Sequence, residues 1–340
     1  MRYIDVRSDT NTQPTQRMRE EMFRAEVGDD VQRDDPTMLR LEKMAAELVG
    51  KEDAMFVPSG TMGNQCAIMT HTRRGDEVIC AESAHIVIHE VGAPAVLSGV
   101  MLRTIPTEDY LRPEQLEKAI RPEDIHMPRT GLIELENAMT TGRVVPLEIM
   151  RANYEVAKRH GLPVHLDGAR LFNAACALGC DAKEIAQYSD SVMFCLSKGL
   201  CAPVGSILAG SQEFIARARK NRKMLGGGLR QAGFLAAAGI VAIEDMIARL
   251  PEDHANAKLL AQLLNEIPGV HTQPETVEIN MVFFTVDKDE EFCSQLPQKL
   301  LEKGVKANGI EDGMFRFVTN NDVTQEDVKY LAACMRELMA

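Results

Sequence analysis

Between residues 54 and 209, short apolar runs alternate with helix-length amphipathic stretches, and no other feature constrains the fold as strongly. Ala54–Val57, Glu77–Cys80, Leu102–Ile105, Leu132–Glu136, Pro163–Leu166, Ser191–Cys195 and Ser206–Ala209 are too short for helices and apolar on both faces. Gly60–Thr70, Pro113–Ile120, Leu147–Arg159 and Arg170–Leu178 read as the helices between them. The pattern predicts an α/β fold with a mostly parallel sheet covered on both faces. Upstream, Thr15–Ala25 and Pro36–Val49 read as amphipathic helices, the second stopped by Gly50. The acidic loop Val27–Asp35 lies between them.

The alternation ends after Gly226-Gly227-Gly228. Arg230–Arg249 reads as one long helix and Glu252–Asn265 as another. Strands at Val277–Val286 and Met314–Val318 then bracket a helix at Glu291–Glu302, and a last helix covers Thr324–Leu338. With 340 residues available, two domains are expected. Residues 1–248 would form an N-terminal segment and a large domain, and residues 249–340 a small C-terminal α+β domain.

A net charge of −12 argues against nucleic acid or an anionic membrane surface as partner. The first residues carry no apolar signal-peptide core, and Gln231–Ile243 is too short to span a bilayer. A soluble, cytoplasmic protein is the expectation. The eight cysteines are scattered, which fits reduced thiols rather than a disulfide framework. Cys66, Cys176, Cys195 and Cys334 sit among apolar neighbours and read as core residues. His85 and His89 are four apart, yet no further ligand completes a set, so no metal is expected.

Two strand ends carry the chemistry. Val164–Asp167 and Met193–Lys198 each run from apolar residues into a charge followed by glycine, Gly168 and Gly199. Ligands of open α/β sheets collect at the carboxyl ends of strands. Alone, either charge is equally an ordinary strand-end residue. Together, a lysine able to form a Schiff base and an aspartate able to pair with a pyridinium nitrogen make a pyridoxal 5'-phosphate (PLP) site. The turn Pro58-Ser59-Gly60-Thr61 opens a helix and offers backbone N–H groups and the Thr61 hydroxyl to the phosphate. An amino-acid carboxylate calls for arginine, and Arg170 and Arg316 are the candidates. His85 is positioned to stack on a ring or to act as a base.

With these residues in view, the sequence resembles the low-specificity L-threonine aldolases of the β-eliminating lyase/threonine aldolase family, PLP enzymes of fold type I. The resemblance is densest at Asp5–Thr10, Val27–Val31, Pro58–Thr61, His165–Arg170, Cys195–Leu200 and Gly226–Gln231. It implies that Lys198 holds the cofactor aldehyde, Asp167 the ring nitrogen, and Gly60 and Thr61 the phosphate, with Arg170, Ser197 and Arg230 also at the cofactor. It further implies His85 on the ring, Ser8, Arg170 and Arg316 at the substrate carboxylate, and His126 at the β-hydroxyl. A homotetramer of dimers is implied, the Gly226–Arg230 loop walling a neighbour's site.

Four stretches depart from the family pattern. Gln32-Arg33 stands for Tyr-Gly, Ala138-Met139 for Thr-His, Cys201 for Gly, and Asn320 for His. The expected reaction is retro-aldol cleavage of β-hydroxy-α-amino acids, with L-threonine or L-allo-threonine giving glycine and acetaldehyde. A PLP-dependent β-eliminating lyase or racemase is the alternative.

Overall fold

The computed structural model describes residues 2–340. Its strands are β1 (Ile4–Asp5), β2 (Asp53–Val57), β3 (Glu77–Ala81), β4 (Met101–Ile105), β5 (Thr130–Glu136) and β6 (Val164–Asp167). They continue as β7 (Ser191–Cys195), β8 (Ser206–Gly210), β9 (Val270–Thr272), β10 (Met281–Val286), β11 (Val305–Lys306) and β12 (Phe315–Val318). A seven-stranded sheet takes the order β2-β8-β7-β6-β5-β3-β4. The expectation of a mostly parallel sheet holds: only β8 runs against its neighbours β2 and β7.

The first helices are α1 (Gln16–Arg24), α2 (Pro36–Val49), α3 (Gly60–His71) and the single turn α4 (His85–Ile88). Helix α2 shows why such boundaries are legible. The Asp35 side chain accepts from Met38 N–H, Pro36 fills the first turn, and Gly50 ends the helix at φ 65°. Its buried residues Met38, Leu41, Ala45 and Val49 recur every three or four positions. Helix α3 lies closer to the sheet than any side chain would permit. A Cβ on Gly63 would stand 2.6 Å from Met193 Cγ, so the helix start is pressed against β7.

The C-terminal residues form a three-stranded antiparallel sheet, β12-β10-β9, with its own apolar core around Phe284, Phe315 and Phe317. Ile4 and Val6 belong to that core, because β1 pairs with β11. This pairing carries the N-terminal segment across the molecule and delivers residues 8–12 to the sheet ends.

Several sequence expectations change. The helix expected over Arg230–Arg249 begins at Gly233, passes into a π turn at Ala242–Met246 and a 3-10 turn at Ile247–Arg249, and joins the next helix. The strand expected from Val277 starts at Met281, and three-residue β9 precedes it, too short to show a period. Gln212–Met224 is helical despite its run of basic residues, because Phe214, Ile215, Ala218 and Arg222 share a buried face. Cys176 is half-buried rather than a core residue, and all eight cysteines are free thiols. No helix of the described residues is long and apolar enough to cross a membrane.

At Arg33 and Cys201, where the resembling family carries glycine, the backbone keeps φ 58° and φ 64°. Those left-handed conformations cost a non-glycine residue on the order of 1 kcal/mol or more.

Candidate active site

Adjacent strands β6 and β7 bring Asp167 and the Ser197-Lys198 segment to one edge of the sheet. Asp167 is 1% exposed. Its Oδ1 accepts from Ala169 N–H at 2.9 Å and its Oδ2 from Asn64 Nδ2 at 2.7 Å. Among the described residues no lysine, arginine or histidine stands within ion-pair distance of it. A buried carboxylate with only neutral donors lacks a counter-cation, and a protonated heterocycle would provide one.

The glycines beside these two residues serve chain packing. A Cβ on Gly168 would lie 2.8 Å from the Met193 carbonyl oxygen, and one on Gly199 would lie 3.0 Å from Leu250 Cδ2. Lys198 is half-buried and forms no ion pair among the described residues. Its backbone carbonyl accepts from Thr12 Oγ1 and Cys201 N–H, both at 2.9 Å, which anchors the segment from two sides.

Helix α3 starts at Gly60, with the Ser59 hydroxyl accepting from Met62 N–H. The N–H groups of Gly60 and Thr61 belong to the helix's first turn and have no intrahelical acceptor. Asn64, four residues after Gly60, shares that helix face and is fully buried. Its amide donates to two carboxylates, Asp167 Oδ2 and Glu90 Oε1 (2.8 Å). With both amide hydrogens committed, Asn64 Oδ1 must accept, and His165 Nε2 stands 3.1 Å away. Burial pulls His165 down to about 4, so it is a neutral imidazole. Its Nδ1 then accepts from Ser191 Oγ (2.9 Å), which in turn accepts from His71 Nε2 at 2.8 Å. Every donor in this chain points towards Asp167.

His85 opens α4. Its Nδ1 lies 2.8 Å from Glu90 Oε1. Burial opposes the charged ring, but the Glu90 hydrogen bond and the Asp167 and Glu90 charges outweigh it and raise the His85 pKa. Glu136, paired in register with Asp167, is pushed up to about 7 by burial and by that neighbour's charge. The ligand-type atoms of His85, Glu90 and Asp167 lie within 4.8 Å of one another. They could face a metal ion, yet Asn64 and His85 N–H groups already occupy them.

Arg170 lies at the start of Leu171–Leu178 and makes a bidentate pair with Asp9, at 2.7 and 2.8 Å. Asn280 Nδ2 donates to the same carboxylate. Ser8 stands next to it and accepts from Thr10 N–H and Thr10 Oγ1. Arg316, opposite Phe283 in the small sheet, is different. It forms no ion pair among the described residues, and its buried Nε has no acceptor. Burial and the charge of Arg170 hold its pKa below the ordinary arginine value. An unpaired guanidinium beside a second one is a strong attractor for a carboxylate. Arg316 lines a cleft of about 780 Å³ with Ser83, His89, Met281, Phe283 and Met314.

Two expected site residues stand apart from this cluster. His126 is exposed on the loop before β5, whereas the site lies at that strand's far end, about 20 Å away by strand rise. Arg230 is exposed and pairs with Asp29 at 3.0 Å, although its loop touches α3 through Gly227 and Met62. Sequence reading also passed over Asn64, Glu90, Glu136 and Asp9. Asp9 alone had a signal, its place in the Asp5–Thr10 motif.

Glu134 lies one pleat before Glu136, fully buried, with neither carboxyl oxygen partnered among the described residues. Burial, then the charges of Asp167, Glu136 and Glu90, raise its pKa well above the ordinary range. A carboxyl raised in the folded state favours folding while protonated, and that benefit is lost as pH rises above the unfolded-state value near 4.5. Glu134→Gln is therefore expected to raise Tm by a few °C at pH 8, with the gain vanishing near pH 4. Thermal unfolding at both pH values checks it.

The family model described as beta-eliminating lyase matches residues 5–287. The chain is 45% identical to the probable low-specificity L-threonine aldolase 2 of Arabidopsis thaliana, covering 99% of this chain and 98% of that one. It is 43% identical to the low specificity L-threonine aldolase of Escherichia coli K12, over 99% of each. The solved structure of a putative L-allo-threonine aldolase from Listeria monocytogenes superposes with a TM-score of 0.83 at 22% identity, covering 98% of this chain and 96% of that one. The fold is the fold type I architecture expected from the sequence. This chain belongs to the β-eliminating lyase family.

Proposed function

We propose that this protein is a PLP-dependent aldehyde-lyase that cleaves β-hydroxy-α-amino acids, L-threonine and L-allo-threonine among them, to glycine and an aldehyde. One observation carries the reading: Asp167 ends β6 and Lys198 follows the end of adjacent β7, neither with an ion-pair partner among the described residues. The residues fit the cofactor. Asp167 awaits a cationic partner, the Gly60 and Thr61 amides are uncommitted donors, and Lys198 is free to hold the aldehyde carbon. Bound PLP supplies an electron sink for the pair released from the Cα–Cβ bond.

The chain's own residues do the rest. Arg316, together with Arg170 and Ser8, takes the substrate carboxylate and sets which Cα bond faces the cofactor. His85 accepts the β-hydroxyl proton at Nε2, its other nitrogen being occupied by Glu90. The O–H electron pair becomes the aldehyde C=O as Cα–Cβ breaks, and the proton taken up by His85 is balanced by the one delivered to Cα, which completes glycine. Arg316→Ala is expected to raise KM for L-threonine about a hundredfold or more, with a smaller loss in kcat; steady-state kinetics check it.

Ile88, Val91, Val96, Ile125 and Met127 are exposed, which supports a subunit interface. In a homotetramer built from dimers, His126 and Arg230 would serve a neighbour's site. The cytoplasm is the compartment this reading assigns. Incubating the holoenzyme with L-threonine and analysing products tests the reaction. Glycine with acetaldehyde is the expected result, whereas a keto acid with ammonia would favour β-elimination, the alternative chemistry.

A further inference from the structure

The geometry points to Glu90 as the positioning residue that fixes the tautomer of His85 and ties it to Asp167 through Asn64. This deepens the proposed reaction and rests on it. Three N–H donors converge on the two Glu90 oxygens. His85 Nδ1 and Asn64 Nδ2 both approach Oε1 at 2.8 Å, and Gln65 Nε2 approaches Oε2 at 2.6 Å. With Glu90 a carboxylate, both oxygens only accept, so the proton of the His85 contact sits on Nδ1. The lone pair is thereby left on Nε2, the nitrogen with no protein partner among the described residues.

Glu90 is 1% exposed and has no lysine or arginine within ion-pair distance among the described residues. Its carboxylate therefore finds its compensation when His85 becomes an imidazolium, that is, when the base has taken its proton. Asn64 gives its two amide hydrogens to Glu90 and Asp167, so one side chain sets the spacing of the carboxylate behind the base and the carboxylate for the ring nitrogen. The charged and titratable groups facing His85 come from every surrounding element. They are Glu90 and His89 beyond α4, Glu136 from β5, Asp167 from β6 and Lys198 after β7.

The sign of the effect follows. Removing the Glu90 charge lowers the pKa of His85, so the base is freed of its proton at lower pH. The test compares wild-type, Glu90→Gln and Glu90→Asp holoenzymes with L-threonine across pH. The visible absorbance of bound cofactor is titrated over the same range without substrate. Glu90→Gln is expected to lower kcat about a hundredfold and to move the acid limb of kcat/KM down by about one pH unit, with KM changed less than threefold. The absorbance titration should move the same way. Glu90→Asp, which keeps the charge, should restore the acid limb and part of kcat. An acid limb unmoved in Glu90→Gln, or Glu90→Asp as impaired as Glu90→Gln, would mean that Glu90 only packs, and would overturn the assignment. If the wild type releases no aldehyde, the reaction itself is misassigned. The cofactor titration then decides Glu90 alone: a shift in Glu90→Gln supports its role, and no shift sinks it.

Discussion

Lys198→Ala is expected to lose aldehyde release from L-threonine by on the order of 10⁴-fold or more, because a covalent catalyst has no substitute once its nucleophile is gone. The same change should remove the visible absorbance of bound cofactor and its fixation to the chain by borohydride, read by mass spectrometry. Folding should survive. The Lys198 side chain is half-buried with no ion pair among the described residues, and its segment is held through its backbone carbonyl by Thr12 and Cys201. Retained turnover together with retained colour would end the assignment of this lysine.

Asp167→Asn should be the second most damaging substitution, lowering kcat on the order of 10³-fold, equivalent to about 4 kcal/mol of transition-state stabilisation. The replacement is nearly isosteric, so the loss reports charge rather than volume. A carboxylate keeps a ring nitrogen protonated, and a neutral amide cannot. Asparagine keeps an acceptor for only one of the two donors on Asp167, Asn64 Nδ2 at 2.7 Å and Ala169 N–H at 2.9 Å, so circular dichroism should be unchanged while Tm falls by a few °C. A kcat within a few-fold of wild type would show that the buried charge has no part in the reaction.

Much of the fold was legible because its signals are local. Ser191–Cys195 and Leu147–Arg159 begin and end where apolar runs and amphipathic periods place them. Asp167 and Lys198 could be singled out because each follows an apolar strand and precedes glycine. That Gly168 is pressed against the Met193 carbonyl is a packing fact that no local signal carries. Arg170 was singled out from its place after Asp167, but its bidentate pair with Asp9 had no local signal, nor had the lack of an anionic partner for Arg316 among the described residues. Nothing near Glu90 in the sequence marks it, because its partners are set by how α3 and α4 meet.

Local periodicity and strand-end chemistry therefore determined the sheet, its covering helices and the two residues at its centre. Contacts such as Asn64 with Asp167, 103 residues apart, and Arg170 with Asp9, 161 apart, were decided by strand order and by how closely α3 approaches β7. The physical reason is one of range. A backbone period reports only which face a side chain takes within a few residues. Which carboxylate finds a counter-charge and which stays bare depends on packing across the whole chain.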